Sequence, residues 1–311
     1  MVGIAVLGCG RIGQMHADNI AAHPSARLAG AFDPFQDAAN AVRDRHGAPV
    51  FERAEDVFAS AEVDAILIAT PTATHVDYLE QSVRAGKPVL CEKPIDLSIE
   101  RVDALQSRIA DTDVPIVLGF VRRFDPGHAA ARAAAQAGEI GELHQVVITS
   151  RDPDMAPAAY IEGSGGIFRD MTIHDLDLAR FMLDEPVVSV SAQGSRLVKP
   201  DLMAQCDDYD TVVVTLTTAS GKQAVITNSR RAVYGYDQRV ELFGSEGMVV
   251  SNNRLENLVT KHSAAATHVS APLQHFFIER YAEAFNDEIS HFVDVVKGDA
   301  TPSVGFEDGR L

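Results

Sequence analysis

The chain has 311 residues, 46% hydrophobic and 23% charged, an ordinary composition for a folded protein with room for two cores. With 27 Lys and Arg against 44 Asp and Glu, its formal charge of −17 excludes a diffuse attraction to nucleic acid or to an anionic membrane surface. No apolar run reaches the ~18 residues of a membrane span.

Val2 to Leu7 is a short apolar run ending in Gly8-Cys9-Gly10-Arg11-Ile12-Gly13, and Gln14 to Ala22 follows with helical character. Strand, G-x-G-x-x-G and helix in this order are the setting that a dinucleotide fingerprint requires. Gly8 suits the tight turn, Gly10 lets a pyrophosphate approach the backbone, and Gly13 lets helix pack on strand. The amino end of the helix faces the phosphates. The next apolar run, Arg27 to Phe32, ends at Asp33, which stands 23 residues beyond Gly10, near the ~20 expected of the acid that binds the ribose. Asp33 accepts from a 2′-hydroxyl and repels a 2′-phosphate. Pro34-Phe35-Gln36 brings no Lys or Arg to hold such a phosphate, so NAD is expected over NADP.

The rhythm continues with strand-like runs at 49–51, 63–69, 88–91 and 114–120, and helices at 52–60, 74–85 and 98–111. Six strands alternating with helices predict a doubly wound, mainly parallel sheet. Thr70-Pro71 and His75 follow one strand end, where the ligand crevice of such a sheet lies; His75 either touches the nicotinamide ribose or caps its helix. Glu92-Lys93-Pro94 follows another. A lysine there faces the cofactor and can reach a substrate hydroxyl, and Lys93-Pro94 is a candidate cis bond.

Beyond Phe120 the pattern changes. A helix at 128–136 precedes strand-like runs at 144–150, 187–198, 209–218, 223–229, 238–243 and 248–250, with a hairpin turn at Thr218-Ala219-Ser220-Gly221. One long helix is expected over 274–296, with Phe276, Phe277, Tyr281, Phe285, Ile289, Phe292 and Val296 on one face. Two domains are expected, 1–120 and 121–311. The first is a nucleotide-binding α/β unit, and the second an α/β unit with one large, mostly antiparallel open sheet.

The stretch Gly163 to Asp177 carries the expected proton chemistry. A helix beginning near Phe168 places Asp170 and His174 on one face, with Asp177 close to the same stripe. An imidazole titrates near neutrality, and a carboxylate one turn away fixes its tautomer. A divalent-metal site at Asp170, His174 and Asp177 is the weaker reading, since one helix face rarely supplies a whole shell. Cys9, Cys91 and Cys206 have neither an even count nor metal-ligand spacing, so neither a metal nor a disulfide framework is expected. Arg122, Arg123, Asp152, Asp154, Thr172, Tyr234 and Tyr236 either ring a polyol or form structural ion pairs. Met1-Val2-Gly3-Ile4 enters a strand-like run without a basic leader, so a cytoplasmic protein is expected.

Together Gly8-Cys9-Gly10-Arg11-Ile12-Gly13, Ala69-Thr70-Pro71 with His75, Cys91-Glu92-Lys93-Pro94, and Gly165-Gly166 through Asp170, His174-Asp175 and Asp177 resemble the Gfo/Idh/MocA oxidoreductases. Within that family Gly119 to Asp125, Ser150 to Pro153 and Asn228 to Arg239 resemble the inositol 2-dehydrogenases. The resemblance implies an N-terminal Rossmann domain, a homotetramer built through the second domain's sheet, and catalytic roles for Lys93, Asp170 and His174. It implies NAD as cofactor, held by Gly8, Gly10, Arg11, Ile12, Gly13, Asp33, Thr70, Pro71, His75, Glu92 and Lys93. A small polyol is implied as substrate, met by Lys93, Arg122, Asp152, Asp154, Asp170, Thr172, His174, Tyr234 and Tyr236. The family's chains usually continue beyond Leu311 into another helix. The expected reaction is oxidation of the 2-hydroxyl of myo-inositol. The alternatives are a scyllo-inositol or sugar dehydrogenase of the same family, and a non-catalytic NAD-sensing protein.

Overall fold

The computed structural model describes residues 1–311. The chain divides into two compact units, Met1–Val121 with Phe285–Leu311, and Arg122–Ala284.

In the first unit β1 (Val2–Leu7), α1 (Arg11–Ala22), β2 (Ala26–Phe32), α2 (Gln36–His46), α3 (Ala54–Ala59), β3 (Ala65–Ile68), α4 (His75–Arg84), β4 (Val89–Cys91), α5 (Ile99–Arg108) and β5 (Ile116–Leu118) follow in order. The strands form a parallel sheet ordered β2-β1-β3-β4-β5. Its strands are continuous apolar runs because helices cover both faces of such a sheet. Ile66, Leu67 and Ile68 of β3 are wholly buried, and each contributes about 1.5–3 kcal/mol by leaving water. The sheet has five strands where the sequence predicts six. Residues 49–51 make only one bridge, Ala31 to Val50, at the edge of β2, because Pro49 has no N–H to extend a ladder. Ser98 caps α5 by accepting from the Arg101 N–H, as its position before the helix predicts.

In the second unit α6 (Pro126–Gln136), β6 (Leu143–Arg151), α7 (Ala158–Gly163), α8 (Ile173–Leu183), β7 (Val187–Ser195), α9 (Pro200–Gln205), β8 (Thr211–Thr218), β9 (Gln223–Ser229), β10 (Asp237–Gly244) and β11 (Met248–Ser251) precede a two-residue pair, β12 (Thr260–Lys261) and β13 (Val269–Ser270). The large sheet runs β11-β10-β6-β9-β8-β7, parallel only between β6 and β9. Alternate residues of β6, β8, β9 and β10 turn inward, among them Val146, Ile148, Val214, Leu216, Ile226 and Leu242. There they pack with Leu178, Ala179, Met182 and Leu183 of α8. The two-residue period of a half-covered sheet is therefore visible in the sequence itself.

The expected helix over 274–296 is two helices, α10 (Phe277–Arg280) and α11 (Ala282–Lys297), separated at Tyr281, whose φ of −110° and ψ of 17° leave the helical region. The apolar stripe serves two cores. Phe276 and Tyr281 pack edge-to-face on Tyr236 in the second unit. Phe285 meets the ring of His16 in the first. The chain then closes with α12 (Phe306–Arg310) beside β5, where the Leu118 N–H donates to the Val304 carbonyl and the Arg310 Nε to Asp103 Oδ1. The residues from Phe285 onward thus build the first unit, whereas the boundary drawn from the sequence leaves them in the second.

Candidate active site

The turn from β1 into α1 is shaped by its glycines. Gly8 has φ +90°, and a Cβ there would lie 2.6 Å from the Ala69 and Thr70 backbone. A Cβ on Gly13 would lie 1.8 Å from the Gly8 carbonyl, so only glycine lets α1 sit this close to β1. At Gly10 a Cβ would meet nothing within 4 Å. Open space over a glycine, at the N-terminus of a helix with no acid in its first turn, suits a pyrophosphate. Arg11 is exposed and Ile12 half-buried beside it. Asp33 is 8% exposed; its Oδ2 accepts from the Cys9 N–H at 2.7 Å and its Oδ1 from the Phe35 N–H at 2.8 Å. Those bonds fix the carboxylate at the end of β2 and leave lone pairs for ribose hydroxyls. Burial, and then the charge of Asp33, push the Cys9 thiol up to about 12.

Thr70 is nearly buried and accepts from the Thr74 hydroxyl at 2.7 Å, while Pro71 is exposed. His75 is 1% exposed, and its two ring nitrogens face the carbonyls of Pro94 and Thr70, each at 2.8 Å. It therefore ties two loops together, and its ring has no free edge for a ribose. Lys93 is half-buried, and the Lys93-Pro94 bond is cis. Glu92 Oε1 lies 2.9 Å from His16 Nε2, so this side chain is engaged inside the unit.

In the second unit, Gly165 and Gly166 both have φ +82°, and a Cβ on Gly166 would press on Asp208 Oδ1 at 2.9 Å. They lead into a π-helical turn over Phe168–Thr172 that continues as α8. The wider turn shifts the register of the expected α-helical stripe, and such turns recur at functional sites. Asp170, on this turn, accepts from the Tyr160 hydroxyl at 2.8 Å and faces Arg230 Nη1 at 3.3 Å. Arg230 is 1% exposed and also donates to Asp208 Oδ2 at 3.0 Å, while Asp208 Oδ1 accepts from the Ile167 N–H. Asp152 belongs to the same group of charges. Burial, and then Asp170, push its carboxyl up to about 7 against the pull of Arg122 and Arg230. His174 is half-buried at the start of α8.

Other expected contacts are structural ties. Arg122, 5% exposed, pairs with the wholly buried Asp175 and donates to Ser150 Oγ at 3.2 Å. Burial alone would lower the guanidinium; Asp175, Tyr281, Tyr236 and Asp152 together outweigh it and hold the group above its usual value. Thr172 is wholly buried and donates to Asn228 Oδ1 at 2.7 Å, and Asn228 in turn donates to Asp175 Oδ2. Arg123 pairs with Asp177 through Nε at 2.8 Å. Tyr234 is half exposed and its hydroxyl donates to Asp237 Oδ2 at 2.6 Å. Tyr236 is 5% exposed inside the aromatic cluster, and Asp154 is exposed, 4.0 Å from Arg231. The residues that sequence reasoning did not single out are Tyr160 and Arg230, which hold the two oxygens of Asp170. Arg230 stands inside the Asn228 to Arg239 stretch, but of its adjacent arginines only the fold shows which is buried.

Residues 2–120 match the oxidoreductase family with an NAD-binding Rossmann fold, and residues 128–250 match the GFO/IDH/MocA C-terminal domain. The chain belongs to the Gfo/Idh/MocA family. It is an NAD-dependent oxidoreductase, with the β1–α1 turn and Asp33 fitting the cofactor. It is 46% identical to the inositol 2-dehydrogenase of Rhizobium meliloti (strain 1021), over 99% of this chain and 92% of that protein. A crystal structure of a myo-inositol dehydrogenase from Corynebacterium glutamicum ATCC 13032 matches with TM-score 0.96 and 46% identity, covering 100% of this chain and 92% of the other. That of a scyllo-inositol dehydrogenase from Lactobacillus casei with bound NAD(H) and scyllo-inositol matches with TM-score 0.92 and 30% identity, covering 100% and 93%.

Proposed function

We propose that this Gfo/Idh/MocA protein oxidises the 2-hydroxyl of myo-inositol to scyllo-inosose. The observation that carries the reading is the Asp170 carboxylate, whose two oxygens are fixed by Tyr160 and Arg230 one helical turn before His174. The 46% identity to an inositol 2-dehydrogenase over nearly the whole chain supports the choice of cyclitol. Bound NAD supplies the hydride acceptor. His174 takes the hydroxyl proton as general base. Asp170 receives a neighbouring hydroxyl and sets the ring's orientation. Lys93 donates to the reacting oxygen and lowers the cost of its developing negative charge. Asp152, poised near neutrality beside Asp170, is the second acceptor for a cyclitol edge, and an isomer that leaves it unpaired is rejected.

The protein acts as a homotetramer in this reading. The outward face of the large sheet supports that, since Val213, Phe243, Met248 and Val250 all stand on it exposed. Light scattering tests the assembly. Initial rates with NAD on myo-inositol, scyllo-inositol, D-chiro-inositol and glucose test the substrate. Preference for scyllo-inositol selects the alternative that the Lactobacillus casei match favours, and NAD binding without turnover on the whole panel refutes the enzymatic reading of the site. His174→Ala is expected to lower turnover by roughly a hundredfold to ten-thousandfold; unchanged turnover in a folded variant removes His174 from the mechanism.

A further inference from the structure

The turn that carries Lys93 rests on a buried group of side chains that no cofactor motif explains. Glu92 precedes Lys93 and meets His16 Nε2 at 2.9 Å through Oε1. Its Oε2 lies over Gly119, where a Cβ would approach to 2.8 Å. Glu288 of α11 comes from the other end of the chain and is wholly buried, and no N–H or O–H donates to either of its carboxyl oxygens. His16, Glu92 and Glu288 offer atoms that all lie within 4.8 Å of one another, and all three belong to the first unit.

Two carboxylates at this spacing, away from water, cannot both keep a negative charge. Glu92 has 16% of its side chain exposed and the imidazole of His16 against it. Glu288 has neither. Its burial, and then the charge of Glu92, raise its carboxyl well above the usual range. The other titratable group close by is Cys91, whose thiol burial and then Glu92 push well above its ordinary value, so it stays neutral. The Phe285 ring meets that of His16 edge-to-face, with centroids 5.6 Å apart.

We propose that Glu288 is a positioning residue held as the un-ionised acid. Its O–H donates to Glu92, and between that bond and His16 the Glu92 carboxylate is clamped, fixing the Glu92-Lys93-Pro94 turn from which Lys93 projects. Glu288 keeps its proton throughout the reaction. The inference rests on the reading of Lys93 given above.

Infrared difference spectra of the whole enzyme with 13C-labelled glutamate, wild type minus Glu288→Gln at neutral pH, read the proton directly. A protonated carboxyl C=O stretch present in the wild type and lost in the variant is expected. Glu288→Gln, whose amide still donates, is expected to keep near wild-type kcat. Glu288→Leu is expected to lose roughly tenfold to a hundredfold in kcat, as a displaced catalytic group does, with KM for NAD little changed. Absence of the infrared band overturns the proposal, as does a Gln variant as impaired as the Leu variant. A stoichiometric divalent metal in the purified protein, whose chelation reproduces the Leu loss, also overturns it and makes the group a cation site. If Glu288→Leu does not fold, the spectrum and the Gln variant still decide. Lys93→Met run alongside separates the two readings, because full turnover there refutes the role of Lys93 while the infrared band still reports on Glu288.

Discussion

Arg230 is the cation on which the geometry of Asp170 depends, and replacing it by methionine, of similar length and no charge, isolates that dependence. Its side chain is 2% exposed and bridges Asp170, 15% exposed, and Asp208, 6% exposed. Removing it leaves two carboxylates facing each other with little water to reach them. Breaking a buried pair in this way costs about 3–5 kcal/mol, mostly the desolvation of the charge left behind. For a unit the size of residues 122–284, at about 2–4 °C per kcal/mol, the melting temperature of Arg230→Met should fall by roughly 6–20 °C. Adding Asp208→Asn removes one of the stranded charges and should restore part of the loss, giving a coupling that a double-mutant cycle reads directly. The same change withdraws one of the two cations holding Asp152 down, so the Asp152 titration should move upward from about 7. Calorimetry on the four proteins of the cycle, with the pH profile of kcat/KM, provides the assay. A loss below about 1 kcal/mol, the level of an exposed pair, together with an additive cycle, would refute the reasoning.

Two further outcomes follow from the same geometry. Asp33→Ser removes an ionised acceptor from the ribose and a partner from the Cys9 N–H. KM for NAD should rise about tenfold or more while NADP turnover improves, since a hydrogen bond to a charged group is worth roughly 1.5–3 kcal/mol; equal NAD kinetics would show that Asp33 does not touch the cofactor. Asp152 titrates near 7 in the folded protein against about 3.9 unfolded, so between those values the folded state binds the extra proton. Its contribution to stability is therefore complete at low pH, declines as pH rises through that window, and is absent above about 7. Urea unfolding from about pH 4 to 8 should show Asp152→Asn losing this decline relative to wild type, and parallel curves would contradict it.

What the sequence discloses and what it hides divide along the distance over which each feature is determined. Gly8, Gly10 and Gly13 are legible because the strand, turn and helix that call for them follow one another directly in the chain, and the Ser98 cap and the alternation along β8 and β9 are local in the same way. Asp170 and His174 are legible as chemistry, but their setting is not, because Tyr160 and Arg230 reach Asp170 from two other segments and Asp208 holds Arg230 from a third. The tally of polar residues overcounts the pocket for the same reason. An arginine or threonine bound for a buried tie, such as Arg122 with Asp175 or Thr172 with Asn228, has the composition of a polyol site, and only its partners tell the two apart.

The apolar stripe from Phe276 to Val296 shows why periodicity alone misplaces a boundary. Helical spacing records only that one face is buried, and it continues unbroken through Tyr281 although the backbone leaves the helix there. Arg280 explains the break. It is 2% exposed and ion-paired with the buried Asp125, and Tyr281 beside it donates its hydroxyl to Gln238. These polar anchors fix α10 within the second unit, and four residues on Phe285 is already packed on His16 in the first. A buried arginine in an otherwise apolar stripe is thus the local sign of a change of core. By the same logic Glu288, a lone acid on the buried face of α11, marks the place where the end of the chain returns to support the turn bearing Lys93.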